Sequence, residues 1–344
     1  MNTGVVVNGR FRTRQVTGVE RYACEVTKRL APKARMVIPG HFHSGIRGHF
    51  WEQFILPRLI ERTEILWSPA NTGPLSFPNQ VLSLHDLSVI DHPEWFSQEY
   101  AFWHRFLLPR LIMSVKAIIT MSNFSKTRII EYFGLQPEVV HCIPEGVDPH
   151  HFHSQPEAEI LRIRQRFSLE SEYLLLVASL EPRKNIKRLL AAWKKISSEL
   201  EGKTLVIAGG KYRVFKEIEI SKNVEKVRWL GYVDEQDLPG LYSAAQAYIL
   251  PSLYEGFGLS VLEAMACGTP VAIANSGALP EVAAESALFF DPHSVDSIAA
   301  AIGVILCDPV LRRDLKERGL ERSRLFSWDR TAQEVWLVLE QAAA

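Results

Sequence analysis

Two carboxylates with seven residues between them frame a glycine-rich loop in the second half of the chain. The segment is Pro251-Ser-Leu-Tyr-Glu-Gly-Phe-Gly-Leu-Ser-Val-Leu-Glu-Ala-Met-Ala-Cys-Gly-Thr-Pro270. It predicts a strand that ends at Pro251, a loop that holds Glu255, and a helix that carries Glu263. Glycines at 256 and 258 let the backbone approach a ligand closely. The free N–H groups of the helix start favour an anion such as a diphosphate.

The spacing of the two carboxylates limits the chemistry they can share. Eight residues of helix would separate Glu255 from Glu263 by ~12 Å. Paired glycosidase carboxylates stand only ~5–9 Å apart. We therefore expect the two glutamates to serve opposite ends of one long ligand. The competing interpretation is that Glu255 is solvated and Glu263 lies on the helix surface.

Two cations follow a predicted strand in the stretch Ser179-Leu-Glu-Pro-Arg-Lys-Asn185. Arg183 and Lys184 stand at the start of the next predicted helix, where a positive charge opposes the helix dipole. That conflict favours anion binding over a merely solvated helix start. A lysine here supplies positive charge where the negative charge of a leaving group builds up.

The first half of the chain offers a histidine and a glycine at predicted strand ends. His85 follows the strand Val81–Leu84 and either donates to a substrate hydroxyl, stabilises developing charge, or caps the strand. Asp86 either caps the next helix or reaches a second substrate. Gly18 follows the first strand, where it allows either a tight turn or close backbone approach to a ligand.

Short apolar runs alternate with helical patterns along the whole sequence, which predicts βαβ units and doubly wound parallel sheets. Each half of the chain holds about six strand candidates. The predicted fold class is therefore α/β, with two facing Rossmann-like domains and a ligand cleft between them. The strand candidates are Gly4–Asn8, Met36–Pro39, Ile65–Ser68, Val81–His85, Ala117–Met121, Val140–Pro144, Tyr173–Leu180, Thr204–Ala208, Val227–Gly231, Ala247–Pro251, Pro270–Ala274 and Ala287–Phe290.

Composition excludes several classes of protein. The 344 residues carry 39 Lys+Arg against 39 Asp+Glu, which argues against a general nucleic-acid binder. No apolar run approaches the ~18 residues of a membrane span, and the N-terminal apolar stretch is too short for a secretory signal. The four cysteines (Cys24, Cys142, Cys267 and Cys307) lack metal-type spacing, and His41-x-His43 is too thin for a metal site. These features predict a cytoplasmic protein with no metal site.

The order and spacing of several motifs closely resemble the family 4 retaining glycosyltransferases, which have the GT-B fold. The resemblance covers nearly the whole chain. The segments that carry it are Thr17-Gly-Val-Glu-Arg-Tyr22, Ser83-Leu-His-Asp-Leu87, Met121-Ser-Asn-Phe-Ser-Lys126, Ile143-Pro-Glu-Gly-Val-Asp148, Ser179-Leu-Glu-Pro-Arg-Lys-Asn185, Leu205-Val-Ile-Ala-Gly-Gly210, the residues from Glu255 to Val271, and Ala278-Leu-Pro-Glu-Val282.

The resemblance implies roles for individual residues. Glu255 would hydrogen-bond hydroxyls of the donor sugar, with His85 beside that sugar. Lys184 would clamp the diphosphate. The family often has a second clamp five residues before this lysine, where this chain has Ser179. Either Arg183 takes over, with its bidentate fork, or one clamp is missing. The residues implied or predicted to contact the donor nucleotide are Glu263 on the ribose, Gly256, Phe257, Gly258, Leu259, Gly18, and Val233 in the base-binding loop.

The resemblance also implies a reaction. It is a metal-independent retaining hexosyl transfer by front-face attack, with a nucleotide-diphosphate sugar as co-substrate and no cofactor. The stretch LEPRKN together with HDL resembles bacterial polysaccharide mannosyl- and rhamnosyltransferases, so GDP-mannose is the first choice of donor. UDP-glucose, UDP-N-acetylglucosamine and a rhamnose nucleotide stay open. The acceptor is a glycan or lipid-linked oligosaccharide of polysaccharide or lipopolysaccharide biosynthesis.

Three other functions compete with glycosyl transfer. A nicotinamide oxidoreductase would need a Gly-x-Gly-x-x-Gly that neither Gly256-Phe-Gly258 nor Gly209-Gly210 supplies. A sugar-nucleotide epimerase or hydrolase could use the same fold and donor site. A non-catalytic sugar-nucleotide binding module would keep the donor clamp without transfer.

The domain expectation assigns residues 1–160 to an acceptor domain, together with a crossover helix at 326–344, and residues 161–325 to a donor domain. Two basic aromatic stretches in the acceptor domain, 47–51 and 102–106, either rest on anionic headgroups or pack within the domain. The first alternative would give weak peripheral contact with the inner face of the plasma membrane.

Overall fold

The computed structural model describes residues 4–13, 17–40, 45–221 and 223–344. These residues divide into two compact units. The first contains the described residues up to Pro93, Gln98–Gly146 and Ser327–Ala344, and the second contains Glu94–Ser97 and Val147–Phe326.

The first unit is built on a six-stranded parallel sheet with the strand order β2-β1-β3-β4-β5-β6. Four of the strands are buried along their whole length, as expected when helices cover both faces of a parallel sheet. The strands are β1 (Val5–Asn8), β2 (Ala34–Val37), β3 (Ile65–Ser68), β4 (Gln80–Ser83), β5 (Ala117–Thr120) and β6 (Val140–Cys142).

The second unit repeats this plan with the order β12-β11-β10-β7-β8-β9, again all parallel. The strands are β7 (Glu172–Val177), β8 (Lys203–Ala208), β9 (Val227–Gly231), β10 (Ala247–Leu250), β11 (Val271–Ala274) and β12 (Leu288–Phe290). Chain order reverses between β7 and β10, which is where a doubly wound sheet opens a ligand crevice at its carboxyl edge. The corresponding reversal in the first sheet lies between β1 and β3.

Helices connect the strands in both units, and several begin at the capping residues expected from the sequence. Ser122, Ser294 and Asp308 each accept a backbone N–H of the first turn that follows. The helices are α1 (Gly18–Leu30), α2 (Gly45–Phe50), α3 (Ser88–Asp91), α4 (Gln98–Ile112), α5 (Asn123–Phe133), α6 (Glu157–Phe167), α7 (Ile186–Ile196), α8 (Leu238–Ser243), α9 (Leu259–Ala266), α10 (Leu279–Ala283), α11 (Val295–Cys307), α12 (Pro309–Ser323) and α13 (Trp328–Ala343).

All twelve predicted strands are present, with ends that differ from the sequence expectation by up to three residues. Two doubly wound parallel sheets therefore confirm the predicted α/β class. A cleft between two facing domains stays a prediction.

The boundary between the two units lies between Gly146 and Val147, whereas the sequence suggested a boundary at 160. Residues 147–160 contact the second unit, since Ser154 Oγ donates to the Cys267 carbonyl at 3.2 Å and Gln155 N donates to Ser243 Oγ at 3.1 Å. The C-terminal helix α13 belongs to the first unit. Thr331 Oγ1 donates to the Pro144 carbonyl at 2.7 Å, and Lys116 Nζ to the Ala342 carbonyl at 2.6 Å.

Candidate functional site

Four charged side chains meet at the switch point of the second sheet. They are Glu181, Arg183, Lys184 and Glu255. A 3-10 turn, Pro182–Lys184, follows β7 and carries both cations, while Glu255 lies in the loop after β10. Leu253 N donates to the Arg183 carbonyl at 2.8 Å, which holds the two loops together. Because β7 and β10 are neighbours, their carboxyl ends bring residues 181–184 against Glu255.

Glu255 accepts from both cations. Lys184 Nζ lies 2.5 Å from Glu255 Oε1, and Arg183 Nη1 lies 3.3 Å from Oε2. Burial acts to raise the pKa of Glu255, but the charges of Lys184 and Arg183 outweigh it and hold that pKa below its ordinary value. Glu255 is therefore an ionised, nearly buried carboxylate between two cations.

Both cations are largely buried, so the solvated interpretation of this helix start is wrong. The side chains of Lys184 and Arg183 are only 12% and 17% exposed. Asn185 begins α7 with a positive φ of 57° and donates from Nδ2 to the carbonyls of Pro251 and Pro292. These two bonds lock the end of the cationic turn to the loop that leads to Glu255.

The glycine-rich loop after Glu255 has the form predicted for a close ligand approach. Gly258 has φ 111°, a conformation that disfavours other residues, and directly precedes α9. The start of α9 has no side-chain cap, which favours an anion at the first N–H groups of this helix. Leu259 is the first residue of this helix, and Gly256 and Phe257 are buried in the loop before it.

A second loop supports Glu255 from behind. Gly277 has φ 59°, and a Cβ there would lie 2.6 Å from the Glu255 carbonyl oxygen, so only glycine fits. Ala278 N donates to that carbonyl at 3.0 Å. The Ala278–Val282 segment singled out in the sequence therefore fixes the position of Glu255.

Glu263 has a different set of partners from Glu255. It is buried in α9, and Tyr242 Oη donates to its Oε2 at 3.0 Å. Burial, together with the charge of Glu263, raises the pKa of Tyr242 far above its ordinary value, so the phenol stays a donor. Because Glu255 and Glu263 have different partners, they can contact different ends of one ligand. The distance expected between them assumed a continuous helix, but only residues 259–263 of that interval are helical. Neither glutamate lies on a solvated surface.

Val233 is buried just beyond β9, after the exposed Tyr232. Gly231 is the last residue of that strand, and its carbonyl accepts a hydrogen bond from Gly209 N at 2.6 Å. This pairing brings the ends of β8 and β9 together. The base-binding role of Val233 stays a prediction.

His85 lies buried at the carboxyl edge of the first sheet. Its Nδ1 is 3.3 Å from Glu145 Oε1, and its Nε2 is 3.2 Å from the Pro69 carbonyl. The ring meets Tyr22 edge-on at 4.9 Å between centroids. The motif that contains Glu145 does not indicate its contact with His85, because that contact depends on β4 and β6 ending at the same edge of the sheet.

The structure favours a structural role for Asp86 and a ligand-contacting role for Gly18. Asp86 Oδ1 accepts from Ser88 N at 2.9 Å and Ser88 Oγ at 2.6 Å, which is the helix-capping alternative. Gly18 opens α1, and a Cβ there would meet nothing within 4 Å. The fold itself therefore does not require glycine at 18, which favours close approach by a ligand over a structural turn.

A buried ionic cluster that no sequence motif indicates lies at the switch point of the first sheet. Arg10 Nη1 donates to Glu52 Oε2 at 2.7 Å and to Thr72 Oγ1 at 3.2 Å, while Asn8 Nδ2 donates to Glu52 Oε1 at 2.8 Å. Asn8 ends β1, and Thr72 follows β3. No local sequence signal pairs residues 10 and 52, since the fold brings them together.

Within the described ranges no three His, Cys, Asp or Glu side chains gather as a metal site would require. His41-x-His43 lies outside the described residues. Metal independence stays a prediction.

Two cations and an uncapped helix start at a doubly wound switch point define an α/β protein whose second unit fits an anionic ligand. The comparisons with known proteins agree with this class. Residues 158–322 match the model of the glycosyl transferases group 1, and residues 35–151 match that of glycosyltransferase family 4. The chain belongs to glycosyltransferase family 4, as its motifs had indicated.

Two relatives in Escherichia coli are mannosyltransferases by name. O-antigen chain mannosyltransferase B is 35% identical over 263 residues, which cover 74% of this chain and 68% of that protein. The serotype-specific mannosyltransferase WbdA is 32% identical over 224 residues, covering 63% of this chain but 28% of that longer protein.

A solved structure confirms the fold over almost the whole chain. Anabaena HepE, crystallised with UDP-glucose, superposes with a TM-score of 0.77 at 19% identity and covers 98% of this chain and 99% of its own. Together with the two six-stranded parallel sheets, this likeness confirms the GT-B fold.

Proposed function

We propose that the protein transfers mannose, with retention of configuration, from GDP-mannose to a glycan or lipid-linked acceptor in polysaccharide or lipopolysaccharide biosynthesis. The observation that carries this proposal is the cluster of Lys184, Arg183 and Glu255 at the switch point of the second sheet. The mannosyltransferase relatives support the choice of sugar.

The cluster provides for each part of a nucleotide-diphosphate sugar. Lys184 and Arg183 supply the positive charge that a departing diphosphate needs, and the start of α9 adds oriented N–H groups through Phe257, Gly258 and Leu259. Glu255, ionised by its two cations, accepts hydrogen bonds from sugar hydroxyls. Glu263, held by Tyr242, accepts from the ribose hydroxyls.

Front-face attack follows from the kinds of group present. The carboxylate of Glu255 is engaged by two cations, which makes it a poor nucleophile, so the diphosphate itself assists deprotonation of the acceptor. The bond from the anomeric carbon to the diphosphate oxygen breaks as the acceptor oxygen bonds to the same face. The acceptor proton passes to the leaving diphosphate.

The first unit supplies the acceptor side in this proposal. His85, held through both ring nitrogens by Glu145 and the Pro69 carbonyl, places its ring next to the donor sugar, where it stabilises developing charge. Gly18 lets the start of α1 approach the diphosphate or the acceptor.

A panel of nucleotide sugars tests the donor. We expect GDP-mannose to raise the melting temperature most, because a ligand that binds only the folded state at about 100 times its Kd adds about 2.7 kcal/mol. UDP-glucose, UDP-N-acetylglucosamine and a rhamnose nucleotide are the competitors, and the HepE complex makes UDP-glucose the sharpest comparison.

Product analysis distinguishes glycosyl transfer from hydrolysis, epimerisation and binding without catalysis. GDP release that depends on an added acceptor supports transfer, whereas release without an acceptor supports a hydrolase. A changed sugar on an intact nucleotide would support an epimerase. Stabilisation without any product would leave a binding module and contradict the proposal.

We further propose that the first unit rests on anionic lipid headgroups through one apolar and basic surface. The two basic aromatic stretches pack together, since Trp103 Nε1 donates to His49 Nδ1 at 3.0 Å. Around this contact Ile46 is 89% and Phe102 77% exposed, and Phe50, Phe54 and Phe106 are also exposed. The exposed arginines of the same surface are Arg47, Arg58, Arg105 and Arg110. In the described chain no helix is both long and apolar enough to cross a bilayer.

Sedimentation with vesicles tests this surface. We expect binding to vesicles that contain phosphatidylglycerol, weaker binding to pure phosphatidylcholine, and loss of binding at high salt. The double substitution Ile46→Ser and Phe102→Ser should lower the vesicle partition constant about a hundredfold or more, because each apolar side chain adds ~1.5–3 kcal/mol when buried. Val310→Ser, at another exposed apolar position, is the matched control. Equal binding of both variants would contradict the assignment.

A further inference from the structure

We propose that Glu181 is a positioning residue, which holds Arg183 in the orientation that binds the diphosphate. This inference rests on the proposed donor site. Glu181 has no exposed surface, and its Oε1 accepts from Arg183 Nε at 2.7 Å. The pair lies within one short turn, so the carboxylate acts on a side chain that begins only two residues away.

Arg183 is held from two directions. Glu181 takes its Nε, and Glu255 Oε2 lies 3.3 Å from its Nη1. The Arg183 carbonyl also accepts from Leu253 N at 2.8 Å. A long side chain fixed in this way has lost its rotamer freedom before a ligand arrives, which favours binding by preorganisation.

The second oxygen of Glu181 indicates that stability is not the reason for this carboxylate. Glu181 Oε2 is buried and has no hydrogen-bond partner among the residues the structure describes. Leaving a buried carboxylate oxygen without a partner is unfavourable, and a neutral side chain would lower that penalty. Such groups persist where the site needs them, which here is the orientation of the Arg183 guanidinium.

Neutralising Glu181 changes the affinity for an anion in opposite directions, depending on whether Glu181 acts only as a nearby charge or positions Arg183. Removal of a negative charge from the cluster would by itself strengthen the binding of an anion. Loss of the Arg183 anchor weakens it, because the guanidinium must then be ordered by the ligand. The sign of the change therefore distinguishes a positioning residue from a nearby charge.

The test is a double-mutant cycle with Glu181→Gln and Arg183→Ala, measured as binding of GDP, UDP and inorganic pyrophosphate by calorimetry. We expect Glu181→Gln to weaken GDP binding about tenfold, Arg183→Ala to weaken it about thirtyfold, and the double variant to bind no more weakly than Arg183→Ala alone. Pyrophosphate should show the same order. The melting temperature of Glu181→Gln should stay level or rise.

Asp237→Asn is the matched control, because Asp237 is a buried carboxylate of the same unit that pairs with Arg162 and Arg166 instead of Arg183. It should lower the melting temperature and leave GDP binding unchanged. Equal or tighter GDP binding by Glu181→Gln, or additive losses in the double variant, would overturn the assignment. The cycle uses no turnover, so it decides the role of Glu181 even if the transferase assay fails. A protein that binds none of the three probes would contradict both proposals.

Discussion

Glu255→Gln is expected to lower kcat/KM for the donor about a thousandfold. Glutamine keeps the size of the side chain but removes the charge that lies between Lys184 and Arg183. The sugar hydroxyls lose a charge-assisted acceptor, and both cations lose the partner that fixes their position. Acceptor-dependent release of GDP, followed with the donor that the thermal-shift panel identifies, measures the effect.

Two further variants show whether the loss belongs to the reacting sugar. Glu263→Gln should raise KM for the donor and change kcat much less, because a ribose contact is made equally in the ground state and the transition state. Glu217→Gln, at an exposed surface pair with Lys211, should leave both parameters unchanged. A Glu255→Gln enzyme within tenfold of the wild type would remove Glu255 from the reaction.

The sequence predicted the fold well because its strongest signals are local. Continuous apolar runs such as the one ending at Leu250 mark buried parallel strands, and the alternation of strands with helices favours doubly wound sheets. The predicted helix that carries Glu263 is present as Leu259–Ala266, with Gly258 directly before it and Gly268 just after its end. Strand ends such as Val177 came earlier than expected because apolar residues continue into the loop.

The site was only partly predictable for a related reason. Glu255, Lys184 and Arg183 stand in recognisable motifs, so the sequence found them. The ion pairs among them could not be predicted from the sequence, because residues 184 and 255 come together only where β7 and β10 are neighbouring strands.

The partners of the motif residues were missed altogether. Tyr242 beside Glu263 and Arg10 beside Glu52 stand outside the motifs. Glu145 stands in a motif, but that motif does not indicate its contact with His85. Side chains that orient a functional residue are selected by the tertiary fold and leave no periodic or local trace.

Lys184→Met is expected to reverse the pH dependence that Glu255 contributes to stability. In the wild type the pKa of Glu255 lies below its ordinary value of 4.5, so its stabilising contribution is present above about pH 4.5 and is lost as pH falls through the lower, folded-state pKa. Without Lys184 we expect burial, the largest single influence on Glu255, to raise its pKa above the ordinary value. Stability should then fall as pH rises from about 4.5 to the new pKa.

At pH 7 we expect the free energy of unfolding to drop by about 2–4 kcal/mol, because an almost buried carboxylate then keeps the more distant of its two cations, Arg183, and loses the nearer one. Urea unfolding at several pH values, compared with the wild type at each pH, measures it. Lys195→Met, which breaks an exposed pair with Asp296, should cost no more than about 0.5 kcal/mol at any pH. Glu255→Gln added to Lys184→Met should restore part of the loss, since it removes the uncompensated charge. A loss that does not vary with pH, or one that the second substitution deepens, would mean that Lys184 acts through packing and that Glu255 is not held ionised by its cations.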